Sequence, residues 1–296
     1  MNDVDVLCIG HASYDLIFAI PHHPAPDEKL FADAMLGCGG GPAANAAVTV
    51  ARFGLRAAFA GYLGRDLYGE KHLQELRDAG VETAWVARGD SPTPLSVVLV
   101  KPDGNRSLVN HKGDTRALPA DAIDFSHCRP KVVLFDGHEP ALSLALLDRL
   151  QAAGLPTVLD AGSLHQGTRA LMGRVDYLAA SEKFADQYLG RHDPATALDA
   201  LAELAPAALI TLGERGLIWR RGLERGALPA LSVDAIDTTG AGDAFHGAFA
   251  LALAEGRDLI AALRFASAAA ALKCTHFGGA AGSPRRAEVD AFLRAS

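Results

Sequence analysis

The sequence predicts an α/β protein built on a central, mostly parallel sheet with helices on both faces. Short apolar, β-rich runs alternate with segments of helical periodicity along nearly the whole chain. Most of these runs are continuously apolar, as strands covered on both faces are. No fixed-period repeat, low-complexity stretch or long Ser/Pro linker interrupts the 296 residues. The chain, 1–296, therefore reads as one domain.

In chain order, residues 4–9 form the first strand. Residues 14–20 and 29–35 break the βα alternation and read as a hairpin pair. Residues 42–53 follow as a helix that Pro42 can open, since its missing N–H costs nothing in the first turn. Strand 57–61 and helix 68–79 restore the alternation. Residues 95–100 and 106–111 form a second hairpin pair around the turn residues Pro102-Asp103-Gly104-Asn105. Strand 131–135, helix 141–153, strand 157–159, helix 195–204 and strands 208–211 and 216–219 come next. Helices 243–254, 259–271 and 285–293 complete the order. The two excursions, about 12–36 and 94–112, are expected to form a small β lid that excludes water from a site.

Hydrophobic residues make up 49%, charged residues 21% and aromatics 6%, a globular composition that excludes a disordered or collagen-like chain. Lys and Arg total 28 against 35 Asp and Glu, so a net charge of −7 gives no general attraction to nucleic acid. The acidic start lacks the basic segment of a secretory signal, which predicts a cytoplasmic protein. The uncharged run 34–51 has the length of a membrane span, but Gly37, Gly39, Gly40, Gly41, Pro42 and Asn45 make it a loop entering a helix. Cys8, Cys38, Cys128 and Cys274 lack paired spacing and read as reduced thiols. His22-His23 reads as an exposed loop, not a metal pair.

The strongest motif is Asp237-Thr238-Thr239-Gly240-Ala241-Gly242-Asp243-Ala244-Phe245-His246-Gly247. Phe245, Ala248, Phe249 and Ala252 recur at helical spacing, so the small residues open an amphipathic helix. The N–H groups of Gly240, Ala241 and Gly242, with the positive helix end, make an anion site. Asp243 is then either a helix cap or a base that deprotonates a hydroxyl attacking a held phosphoryl group. The residue alone leaves both open. A second motif, Gly39-Gly40-Gly41-Pro42-Ala43-Ala44-Asn45, places Asn45 one turn into a helix. There its amide faces either solvent or a polyol hydroxyl. No P-loop occurs, and a dinucleotide reading of Gly240-Ala241-Gly242 fails at Phe245.

Residues 39–52 and 237–250 resemble the two signatures of the ribokinase-like (PfkB) carbohydrate kinases. The resemblance extends to residues 10–15, to Thr211-Leu212-Gly213-Glu214-Arg215-Gly216 and to the tail Ala270-Ala271-Leu272-Lys273-Cys274-Thr275. It implies a ribokinase-like three-layer sandwich and transfer of the ATP γ-phosphoryl group to a sugar hydroxyl. By resemblance Asp243 is the catalytic base, and the backbone of Gly240, Ala241 and Gly242 holds negative charge. Asp15, Gly40, Gly41 and Asn45 are implied as sugar ligands, with Asp136 where the family often has a sugar-facing Glu. Thr211, Gly213 and Gly216, with Ser181, Ala241, Gly242 and Ser267, are implied for the nucleotide. Asp237 and Thr239, with backbone near Lys273, Gly278 and Gly282, match a potassium site, for which the Lys273 side chain is a rival occupant.

One family motif is missing. The Asn-x-x-Glu that supports magnesium reads Ser181-Glu182-Lys183-Phe184, so Mg2+ is expected only from the chemistry of ATP, and Glu182 reads as a solvated helix residue. The tail and the triple glycine are similar to the branch containing sulfofructose kinase, where Lys29 and Asn110 would meet an anionic group. A basic side chain of that branch is here replaced by His138, so a neutral hexose, ketohexose or pentose is the expected acceptor. A nucleoside kinase and a non-catalytic sugar sensor are the alternatives. The expected partners are a sugar and ATP, without nucleic acid or membrane, and a second copy joined through the lid.

Overall fold

The computed structural model describes residues 2–295. Its strands are β1 (Asn2–Ile9), β2 (Ser13–Ala19), β3 (Ala34–Gly40), β4 (Ala57–Gly64), β5 (Val86–Gly89), β6 (Leu95–Val100), β7 (Arg106–His111), β8 (Cys128–Phe135), β9 (Thr157–Ala161), β10 (Tyr177–Ser181), β11 (Ala207–Thr211), β12 (Leu217–Arg221) and β13 (Glu224–Leu228). Its helices are α1 (Pro42–Arg52), α2 (Leu67–Asp78), α3 (Pro140–Ala152), α4 (Gln166–Leu171), α5 (Glu182–Leu189), α6 (Pro194–Ala202), α7 (Ala241–Ala254), α8 (Leu259–Lys273) and α9 (Arg286–Ala295).

Among the described residues nine strands form a sheet of order β13-β12-β11-β10-β9-β8-β1-β4-β5. The pairs from β11 to β5 are parallel, and β12 and β13 return antiparallel at one edge. Because side chains alternate along a strand, Val6, Cys8, Val132 and Leu134 enter one layer with α1, α7 and α8. Leu7, Ile9, Val133 and Phe135 enter the other with α3, α5 and α6. The result is the expected α/β sandwich of three layers.

The apolar layer beside α1 and α7 is rich in alanine and glycine, which brings backbones together. A Cβ on Gly247 of α7 would lie 2.6 Å from the Ala46 carbonyl of α1. These two helices carry the two motifs, and only glycine permits their crossing at this separation.

Four strands form a second sheet of order β3-β2-β6-β7. Both hairpin pairs are present, and a parallel β2–β6 ladder joins them. The first hairpin corrects the expected pairing. Its return arm is Ala34–Gly40, not 29–35, so this sheet runs past residue 36 and Lys29 lies exposed in the connecting segment 20–33. Pro21, Pro24 and Pro26 remove ladder donors there, and Asp27 adopts a positive φ of 65°. Gly39 and Gly40 are strand residues, leaving Gly41, at φ 97°, as the link to α1. In that strand a Cβ on Gly40 would lie 2.2 Å from the Asp15 carboxylate.

Candidate active site

The site gathers at the C-terminal ends of the parallel strands, where a parallel sheet presents its ligands. Gly10 and His11 follow β1, Asp136 and His138 follow β8, and Asp160 is the penultimate residue of β9. The Gly-Ala-Gly loop faces this rim from the start of α7.

Gly240 adopts a left-handed φ of 77° as the residue before α7. The Ala241 N–H closes a turn onto the Thr238 carbonyl at 3.2 Å, so it is not one of the free donors expected from the sequence. The N–H groups of Gly242 and Asp243 have no intrahelical acceptor, and Gly242 is exposed beside open space. Asp243 does not cap the helix by a side-chain bond. Its Oδ2 instead accepts from Asn45 Nδ2 at 2.6 Å, joining the two motifs across 198 residues of chain. Burial, reinforced by the nearby charge of Asp160, pushes the Asp243 carboxyl up to about 6. The Asn45 bond, His246 and Arg106 oppose that rise.

Asn45 is 5% exposed, and its Oδ1 is buried without a partner in the protein. That leaves an acceptor available to a hydroxyl donor. One turn beyond Asp243, His246 Nδ1 lies 3.1 Å from Asp160 Oδ2, both side chains being buried. Burial disfavours charge on His246, but the Asp160 carboxylate overrides it and raises the imidazole above its ordinary value.

Asp15 accepts from Ser13 Oγ at 2.8 Å, and burial raises its carboxyl against the bonds of Ser13 and Ser96. Register places Asp15 opposite Ser96 and Ser96 opposite Asn110, so the three share one face of the small sheet. Asn110 thus joins Asp15, whereas Lys29 joins nothing in a strand. Arg106, on the same face, acts electrostatically on both Asp15 and Asp243.

Asp136 is committed to the backbone. It accepts from the N–H groups of His11 at 2.7 Å, Ala43 at 3.1 Å and His138 at 2.9 Å. It therefore ties the ends of β1 and β8 to the start of α1. Beside it three imidazoles lie in a row: by ring centroids His138 sits 5.0 Å from His11, tilted, and 4.8 Å from His165, stacked. Burial first, then the charge of His138 and Lys112, lowers His11 well below its ordinary value and His165 to about 4. No spacing in the sequence pointed to His11, His165, Asp160 or Arg106.

On the nucleotide side, Thr211 ends β11, Gly213 (φ 60°) opens a 3-10 turn and Gly216 (φ 85°) closes it. Ser181 caps α5, accepting from Phe184 N at 3.0 Å and donating to the Gly162 carbonyl at 2.9 Å. Glu182 begins α5 and pairs with Arg215 while partly buried. Ser267 is partly exposed on α8. A surface concavity lined by Asp176, Tyr177 and Arg221 carries none of these residues.

Among the described residues no three His, Cys, Asp or Glu side chains gather as a metal cage. Of the residues expected at a potassium site, Asp237, Thr239 and Gly278 lie in direct contact. Asp237 is fully buried, with Oδ1 accepting from Thr239 N at 2.8 Å and Oδ2 from Gly278 N at 2.9 Å. Lys273 is 0% exposed, and its ammonium donates to the His276 carbonyl at 3.1 Å beneath this loop.

The profile of the pfkB family carbohydrate kinases matches residues 3–286. The chain belongs to that family. As a pfkB-family carbohydrate kinase it is a phosphotransferase with an alcohol acceptor. It is 31% identical to the ribokinase of Bacillus subtilis over 98% of this chain and 99% of that one. Ribokinase from Thermotoga maritima is similar in structure, with a TM-score of 0.87 and 27% identity over 98% of this chain and 99% of that one. Arabidopsis thaliana ribokinase complexed with ribose and ATP gives a TM-score of 0.86 and 26% identity over the whole of both chains. Among the described residues of this family member no helix is long and apolar enough to cross a membrane.

Proposed function

We propose that the protein transfers the γ-phosphoryl group of ATP to a hydroxyl of a free neutral monosaccharide, a pentose first. The observation that carries this is the Asn45–Asp243 hydrogen bond. It sets a carboxylate that accepts a proton near neutral pH beside a buried amide oxygen with no protein partner. The sugar hydroxyl donates its proton to Asp243 as its oxygen bonds to the γ-phosphorus. The bond from that phosphorus to the bridging oxygen of ADP breaks, and the α7 N-terminus meets the developing charge. Asp15, Ser96 and Asn110 hold the remaining hydroxyls, and the Thr211–Gly216 turn lines the nucleotide side.

The relatives named as ribokinases, one of them complexed with ribose and ATP, make a pentose the first acceptor to test. An anionic sugar has less support, because Lys29 is an exposed loop residue. We also assign the small sheet as a lid over the acceptor, and its outer face to a second copy of the chain. Along that face Leu16, Phe18, Met35, Val97, Leu99 and Val109 are all at least partly exposed. The deciding experiment is ADP release from ATP across pentoses, ketohexoses, their phosphate and sulfonate esters, and nucleosides, with mass spectrometry of the product. Best turnover on a neutral pentose is expected. Best turnover on a nucleoside or an anionic sugar would replace this acceptor, and no turnover on any would leave a sugar-binding sensor.

A further inference from the structure

We propose that the ammonium of Lys273 is the resident cation of the loop that presents Gly240 to Gly242, so the protein needs no potassium there. This goes beyond the kinase reading and does not depend on which sugar is used.

The chain Asp237-Thr238-Thr239-Gly240 leads into α7 and packs against the segment after α8. The Ile236 and Asp237 N–H groups both donate to the Cys274 carbonyl, at 2.7 and 3.1 Å. Asp237 Oδ2 ties back to Gly278, and a Cβ on Gly240 would lie 3.5 Å from the Gly279 backbone. The position of the anion-binding loop therefore depends on the segment 274–282. A carboxylate buried as fully as Asp237 needs positive charge nearby. A monovalent ion or a lysine can provide it, and an ammonium and a potassium ion carry equal charge at similar size.

Here a lysine lies in the same segment, its Nζ on the His276 carbonyl. Lys273 is the last residue of α8 and among the largest fully buried side chains, so it is not a surface residue folded inward by chance. Its Nζ reaches the His276 carbonyl, and a Cβ on Gly282 would lie 3.2 Å from its Cε and 3.3 Å from its Nζ. The loop thus wraps the lysine tip closely and any larger residue at 282 would press on it. Burial lowers the Lys273 ammonium below its ordinary value, and Asp237 is the first of the groups that oppose this. Each Asp237 oxygen accepts one backbone N–H, which ties the carboxylate to Thr239 and Gly278.

The test compares wild type with Lys273→Ala and Lys273→Met in potassium chloride and in tetramethylammonium chloride at equal ionic strength, about 0.1 M. Melting temperature is read without substrate and ADP release with the best acceptor. Wild type should melt at one temperature and turn over at one rate in both salts. Lys273→Ala opens a space of ionic size. It should lose roughly 10²-fold in rate in tetramethylammonium and regain most of it in potassium, with a matching rise in melting temperature. Lys273→Met fills the space without charge and should lose activity that potassium does not restore. Potassium raising the melting temperature or rate of wild type several-fold over the organic cation would overturn the proposal. So would a Lys273→Ala protein as active and stable as wild type in both salts. If neither variant folds, the wild-type comparison still decides. If no sugar is phosphorylated, the melting arm decides alone.

Discussion

At the level of single residues, the protonation state of Asp243 governs when the reaction can run. A base must be ionised to accept a proton, and burial has lifted this carboxyl to about 6. kcat/KM should therefore rise as pH increases through about 6 and level off above it. Asn45 donates to the charged form, so Asn45→Ala should move this acidic limb to higher pH while weakening sugar use more than ATP use. A limb that stays in place would mean that the bond does not act on the base. Asp243→Asn keeps the shape and removes the base, and turnover should fall by roughly 10²–10⁴ with ATP binding retained. Asp243 and Asn45 were legible because each stands in a run of glycines and small residues that only a close ligand or backbone approach explains. His246 with Asp160 was not, since one comes from a helix turn and the other from a strand end 86 residues away. Asp136 shows a related ambiguity. A strand-end acid looks alike in sequence whether it faces a ligand or three backbone N–H groups.

At the level of elements, the crossing of α1 and α7 sets the active-site bond. Gly247 lets the two backbones meet, and one added methyl has nowhere to go but against the Ala46 carbonyl. Gly247→Ala should separate the helices, cost about 1–3 kcal/mol in urea unfolding and lower kcat by lengthening the Asn45–Asp243 contact. Wild-type stability with unchanged kcat would show that the crossing has slack. The sequence marked the long periodic helices and the Val- and Leu-rich strands of the sheet centre. It did not mark β10, whose core is Tyr177-Leu178-Ala179-Ala180, because alanine has little preference for strands. The short α4 and α5 escaped for want of enough turns to show a period, and β5 and β13 for want of apolar residues.

At the level of the whole molecule, the second sheet carries apolar residues on both sides. Its inner face packs Ile17, Cys38 and Val98, while Val109 and Met35 stand 66% and 62% exposed on the outer one. Val109→Lys should convert a dimer to a monomer in sedimentation velocity, with the melting temperature of the remaining fold little changed. A wild-type monomer at high concentration would remove the proposed partner. The parallel pairing of β2 with β6 has another consequence, in biosynthesis. Tyr14 pairs with Leu95, and β3, α1, β4, α2 and β5 all lie between them in the chain. Contacts so distant in sequence wait for the intervening chain to fold. On the ribosome β2 and β3 emerge as a two-stranded ribbon, which is at best marginally stable alone, with both apolar faces wet. Until Val100 has left the exit tunnel, that ribbon is the segment of the nascent protein most open to a chaperone or to aggregation.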